Sequence, residues 1–131
     1  MERKQKIVVL WLMTMCGFVC HTIMDLLPLF WGQRIAISDS GAAPQSMLLM
    51  MSVLSLLIPV CGIFCVLSCR TGKWKKVVNV ALATLIALFN IVHACMELPS
   101  DNAAQYVVMP MLIIIGICLA WHSYKLLKSE Q

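Results

Sequence analysis

Apolar runs of about 20 residues recur four times in this chain of 131 residues, and that recurrence constrains the fold more than any motif. The hydrocarbon core of a bilayer is ~30 Å thick, which an α-helix crosses in ~20 residues at ~1.5 Å each. The runs cover residues 7–30, 45–69, 77–97 and 104–124, and the connections between them are too short to hold a further domain. Only 12% of the residues are charged and 61% are hydrophobic, whereas an ordinary soluble domain carries ~25% charged residues. The pattern predicts an all-α membrane protein: a four-transmembrane-helix bundle, a single integral domain over 1–131, with the lipid bilayer as its first partner. It leaves no room for a soluble catalytic domain.

Local signals punctuate the runs. Pro28 and Gly32 close the first, Pro44 suits the opening turn of the second, and Pro99 closes the third. Ser100 is the expected N-cap of the turn before the fourth. The opening MERKQK has the charge pattern of a signal peptide, but no small-residue cleavage site follows and the apolar run continues too long. It reads as a retained first span.

The basic residues set the orientation. Arg3, Lys4 and Lys6 precede the first run, Arg70, Lys73, Lys75 and Lys76 fill the second connection, and Lys125 and Lys128 follow the fourth. Arg34 alone falls on the opposite side, so the positive-inside rule places both termini in the cytoplasm, N-in and C-in. Trp11, Trp74, Trp121 and Tyr124 then form an inner aromatic belt, with Trp31 and Tyr106 in an outer one. The formal charge of +4 is confined to these flanks without interleaved aromatics, which argues against a nucleic-acid partner. The seven cysteines lie inside the runs or at the inner boundary, so they imply packing and no extracellular disulfide framework.

Helices associate in lipid through close packing and polar contacts, so small and polar residues spaced by three or four mark the inward faces. The stripes are Thr14, Gly17, His21 and Asp25; Ser52, Ser55, Pro59 and Gly62; Asn79, Ala83, Ala87, Asn90, Ala94 and Glu97; and Gly116, Ala120 and Ser123. Pro59 and Pro110 fall within runs, where each removes a backbone donor and is expected to bend or locally unwind its helix.

One pattern repeats. His21-Thr-Ile-Met24-Asp25-Leu and His93-Ala-Cys-Met96-Glu97-Leu share the order H-x-x-M-[D/E]-L, each followed by a proline. Two-helix pseudo-repeats, 1–72 and 73–131, would produce this echo, as would the general preference of helix ends for acids and proline. A spacing of four sets each histidine beside its acid. His21, Asp25, Asn90, His93 and Glu97 are therefore expected to converge in the outer leaflet as a ligand or proton site, since ionisable groups inside membranes commonly serve ion or proton paths. A purely structural use, with the histidines bonding across helices, is the competing expectation.

Soft ligands gather at the same depth. His21, Met24, His93 and Met96 form a candidate copper set, and a b-type haem between the two histidines is a further geometric option. The chain has no C-x-x-C or C-x-C, so no cofactor is required.

The short basic N-terminus, the run ALATLIALFNIVH and the ending AWHSYKLL resemble, in layout, small four-span bacterial membrane proteins of the DoxX-like kind. That resemblance implies a fold and a bacterial cytoplasmic membrane, and no activity. The expected role is non-enzymatic: a small membrane subunit, accessory factor or transporter-like unit, acting as a homo-oligomer or beside a membrane-complex partner. A carrier or sensor of protons, copper or a small ligand is the second expectation, and a small membrane-embedded redox or other enzyme the third, because no nucleophile with an adjacent base and oxyanion donors is visible.

Overall fold

The structure, a computed structural model, describes residues 2–34, 44–68 and 72–129. Cys69, Arg70 and the loop from Ser38 to Ala43 lie outside the described residues. Among the described residues, four helices are long and apolar enough to cross a membrane.

Helix α1 spans Arg3–Leu26 and opens with a capping box, in which the Glu2 amide donates to Gln5 Oε1 at 3.0 Å. A 3₁₀ turn, Leu27–Trp31, follows because Pro28 cannot continue the α-helical ladder, and Gly32 ends it at φ 72°. Helix α2 covers Gln45–Leu67 and is interrupted by a π-helical turn at Val53–Leu57. Pro59 begins the segment beyond this turn and lacks the amide that would serve the carbonyl four residues earlier. The π turn and the Ser55 hydroxyl, which donates to Met51 O at 2.6 Å, absorb that disturbance. Helices α3, Lys73–Glu97, and α4, Gln105–Lys128, are continuous, so Pro110 sits inside α4 without breaking it.

Each of α1, α3 and α4 extends into its basic flank beyond the apolar run. Hydropathy marks the hydrocarbon, but a helix continues where long stems can carry their charges outward. Lys125 does so with its ammonium 4.7 Å from the Trp121 ring centroid, and Arg3 donates to the Lys125 carbonyl at 3.0 Å.

The helices pack in ring order: α1 against α2 and α4, and α3 against α2 and α4, with α1 and α3 facing across one diagonal. The inner half is tightly closed. Trp11 is 0% exposed, and its indole N–H donates to Asn79 Oδ1 at 3.0 Å while Asn79 Nδ2 donates to Ser123 Oγ at 2.8 Å. Gly62 of α2 lies directly on that indole, so all four helices meet at one level. Ile7, Ala83, Ile86, Val66 and Leu119 fill the space around it.

Several expectations change. Trp11 belongs to the core and not to the inner belt, because Asn79 supplies a hydrogen-bond partner and Gly62 a slot. Trp31, Trp74, Trp121, Tyr106 and Tyr124 do face outward. Lys76, expected in the flank, is buried within α3. Five cysteines, Cys16, Cys20, Cys61, Cys95 and Cys118, are exposed on outward faces where packing was expected, and Cys65 is half-buried. Ser100 caps the turn before α4 as expected, accepting from the Asn102 amide at 3.2 Å, and Asn102 Oδ1 in turn accepts from the Ala104 amide at 3.1 Å ahead of the helix. Of the small-residue stripes, Ser52 alone faces fully outward, its hydroxyl turned back on the Leu48 carbonyl at 2.9 Å.

Ser52 belongs to the outer half of α2, Gln45–Ser52, which contributes no buried residue, whereas Ile58, Pro59, Gly62 and Val66 below the π turn are buried. The outer half therefore leans off the bundle and opens a space beside α1 and α3.

Candidate functional site

His21 projects from α1 toward the bundle axis and is 5% exposed. Four residues on, Asp25 shares its face, with Oδ2 at 3.4 Å from His21 Nε2. Gln105, in the first turn of α4, ties the two together: its Nε2 donates to Asp25 Oδ1, and its Oε1 lies 2.9 Å from His21 Nδ1. A carboxylate accepts and does not donate, so the amide nitrogen must face Asp25 and the amide oxygen must face His21. His21 Nδ1 then carries the proton, and Nε2 presents its lone pair inward.

That lone pair meets His93 from across the diagonal. The two Nε2 atoms are 3.2 Å apart, with ring centroids at 5.2 Å and planes at 84°. With both rings neutral, His93 donates through Nε2–H to His21 Nε2. His93 is held from behind by Phe89, one turn earlier on α3, stacked at 5.4 Å and 13°, and Phe89 in turn meets the edge of Phe18 at 6.3 Å. The imidazole pair is therefore positioned from three sides: Gln105 and Asp25 orient one ring, and an aromatic stack orients the other.

Both rings border a cavity of about 860 Å³ between α1, the splayed outer half of α2, α3 and the turn before α4. Asp25 and Glu97 stand on its wall with His21 and His93. Met47, Met50 and Met51 face them from α2, with Met96, Phe89 and Val92 from α3, and Arg34 and Asp101 also lie on the border.

The structure thus brings His21, Asp25, His93 and Glu97 to one cavity and leaves Asn90 apart. Asn90 is buried one turn below His93, where its Nδ2 donates to the Leu112 carbonyl at 2.9 Å and joins α3 to α4, while its Oδ1 has no partner among the described residues. Gln105 and Asn102 were not expected here. Asn102 Nδ2 donates to the Met24 carbonyl at 2.8 Å and fastens the turn before α4 to the end of α1. The one available signal for Gln105 was an uncharged amide in the opening turn of an apolar run, a position it shares with ordinary interfacial residues.

Of the candidate copper set, His21 and His93 border the cavity. Met96 lines the cavity, but Met24 is not among its lining residues. Among the described residues, no group of three or more His, Cys, Asp or Glu side chains is placed to hold a metal ion. A haem would require the imidazoles to separate and admit the macrocycle. What the arrangement does support is proton exchange: a proton entering at His93 can pass along the Nε2 contact to His21, whose charged form is met by Asp25. Compared with protein-family models, curated proteins and solved structures, the chain finds no match, so a functional reading has to stand on the geometry of this cavity.

Proposed function

We propose that this integral membrane protein is a non-enzymatic, transporter-like unit of a bacterial cytoplasmic membrane, with both termini in the cytoplasm. Its working element is a proton-accepting imidazole pair on the wall of an outer-leaflet ligand cavity. One observation carries the reading: the Nε2-to-Nε2 contact of His21 and His93 borders an open cavity, while Gln105 Oε1 lies 2.9 Å from the far nitrogen of His21. A histidine used only to tie helices together needs one partner. Here two imidazoles share a hydrogen bond with an acid beside them, and the ligand space lies alongside.

Two charged imidazoles whose ring centroids are 5.2 Å apart repel by ~3 kcal/mol at an effective dielectric constant of ~20. Double charging of the pair is therefore opposed, and a single shared proton is its proposed working state. The test is ¹⁵N-imidazole NMR of the full chain in lipid nanodiscs across a pH series. The expected result is coupled titration, in which His93→Phe alters the response of His21. Independent titration of the two rings, or no response of either to pH, would overturn the reading.

A further inference from the structure

The cavity border is unbalanced in charge. Asp25 from α1, Glu97 from α3 and Asp101 from the turn before α4 oppose the single guanidinium of Arg34. Among the described residues, three negative groups against one positive leave a surplus of two negative charges while the imidazoles are neutral. Such a surplus attracts a cation to the cavity. Gln105 donates to Asp25, whereas Glu97 has no hydrogen bond or ion pair among the described residues. The rest of the wall is of another kind: thioethers and the face of Phe89, polarizable groups that attract cations more than anions. A volume of about 860 Å³ falls within the range of roughly 300–1,000 Å³ usual for sites that enclose drug-sized ligands.

We propose that the cavity binds an amphipathic organic monocation, an amine or quaternary ammonium with an apolar body, and that protons taken up by the His21–His93 pair compete with it. The cationic centre lies toward Asp25 and Glu97, and the apolar body rests against Met47, Met50 and Phe89. The other classes fit less well. An apolar anion is repelled by the carboxylates, a neutral apolar molecule leaves them uncompensated, and a small hydrated inorganic cation gains nothing from the methionine and aromatic wall. Competition follows from placement, because the imidazole pair shares the border with both acids. A proton held there reduces the negative surplus that draws the cation. Among the described residues, Asp25, Glu97, Asp101 and Arg34 are the charged groups bordering the pair's cavity, and Gln105 is the neutral one touching His21.

This inference rests on the proton-accepting pair, and the test separates the two. Tetraphenylphosphonium is titrated calorimetrically into the full chain in phosphatidylcholine nanodiscs, with tetraphenylborate as a probe of like shape and opposite charge. Saturable tetraphenylphosphonium binding is expected, tighter at pH 8 than at pH 5.5, with no saturable binding of tetraphenylborate. Glu97→Gln and Asp25→Asn, each checked for folding by elution and melting, should weaken binding at least tenfold at pH 8. Equal binding of both probes, unchanged affinity in both variants, or no saturable tetraphenylphosphonium binding at either pH would overturn the inference. If His21 and His93 still titrate as a coupled pair by NMR, the ligand class alone has failed. If they take up no proton, the reading beneath it fails as well.

Discussion

Replacing Gly62 with alanine tests the closed inner half most directly. A Cβ at this position would lie 2.3 Å from Trp11 Cε2, 2.4 Å from Cζ2 and 2.6 Å from Nε1. The indole cannot yield as a flexible chain end would, because it is rigid, fully buried and bonded to Asn79. Overpacking of this kind costs ~1–3 kcal/mol, and displacing the indole weakens a buried hydrogen bond worth ~0.6 and at most ~1.7 kcal/mol in membrane bundles. The better helix propensity of alanine returns up to ~1 kcal/mol. The net expectation is a loss of about 1–3 kcal/mol, read from reversible unfolding in mixed micelles with rising dodecyl sulfate. Gly72→Ala, where no atom of the described residues lies within 4 Å of the added carbon, is the control without overpacking and should cost less than ~1 kcal/mol, the N-cap of α3 changing from glycine to alanine. In a Trp11→Ala background the Gly62→Ala penalty should vanish. Refutation would be a Gly62→Ala protein as stable as the parent, or the same penalty in both backgrounds, since either result separates Gly62 from the indole.

Gln105→Leu removes both bonds that orient His21 and Asp25 and should destabilise the chain by ~1–3 kcal/mol. In ¹⁵N NMR, His21 should also lose its fixed Nδ1–H tautomer; an unchanged tautomer would show that Gln105 does not set it. Gly116→Leu should cost more than Gly17→Ala. The added carbon at 116 meets the Ala87 backbone at 3.0 Å and the Asn90 amide at 3.2 Å, whereas the one at 17 meets only the movable end of Leu112; unfolding in dodecyl sulfate ranks the two. Reporters fused after Gln131 or within residues 70–76 should register as cytoplasmic, and one within residues 38–43 as external, with an external C-terminus refuting the orientation.

The helices were legible because lipid simplifies the problem. With no water to satisfy backbone groups, each long apolar run must be helical, and all four appear where hydropathy places them. The helix ends were less legible, because Lys73 and Lys128 belong to helices that outrun the hydrocarbon and nothing in hydropathy records that extension. The inward stripe of α3 was legible in full from Asn79 to Ala94, since small and amide residues at helical spacing have little use on a lipid face. Trp11 was not. An indole near a basic flank has two uses, interfacial anchor or core residue, and the choice depends on Gly62 and Asn79, which lie 51 and 68 positions along the chain.

The same limit separates the two halves of the candidate site. His21, Asp25, His93 and Glu97 declare themselves through a repeated four-residue spacing, which is local information. Gln105 sits 84 residues from His21, in a turn whose composition suits the interface, and only the packing of α4 against α1 turns its amide inward. Yet Gln105 decides the chemistry. Without an amide oxygen at Nδ1, His21 could hold its proton on either nitrogen, and the Nε2 contact with His93 would then be as well explained by a plain structural bond. The amide can present that oxygen only because Asp25 claims its nitrogen. Thus Asp25, which the echo identifies as a partner of the histidine, acts on His21 chiefly through a residue the echo does not contain. Glu97, its counterpart in the second copy, makes no such contact among the described residues. The echo therefore supplies two like residues in unlike settings, one acid that both orients a ring and borders the cavity, and the other bordering the cavity alone.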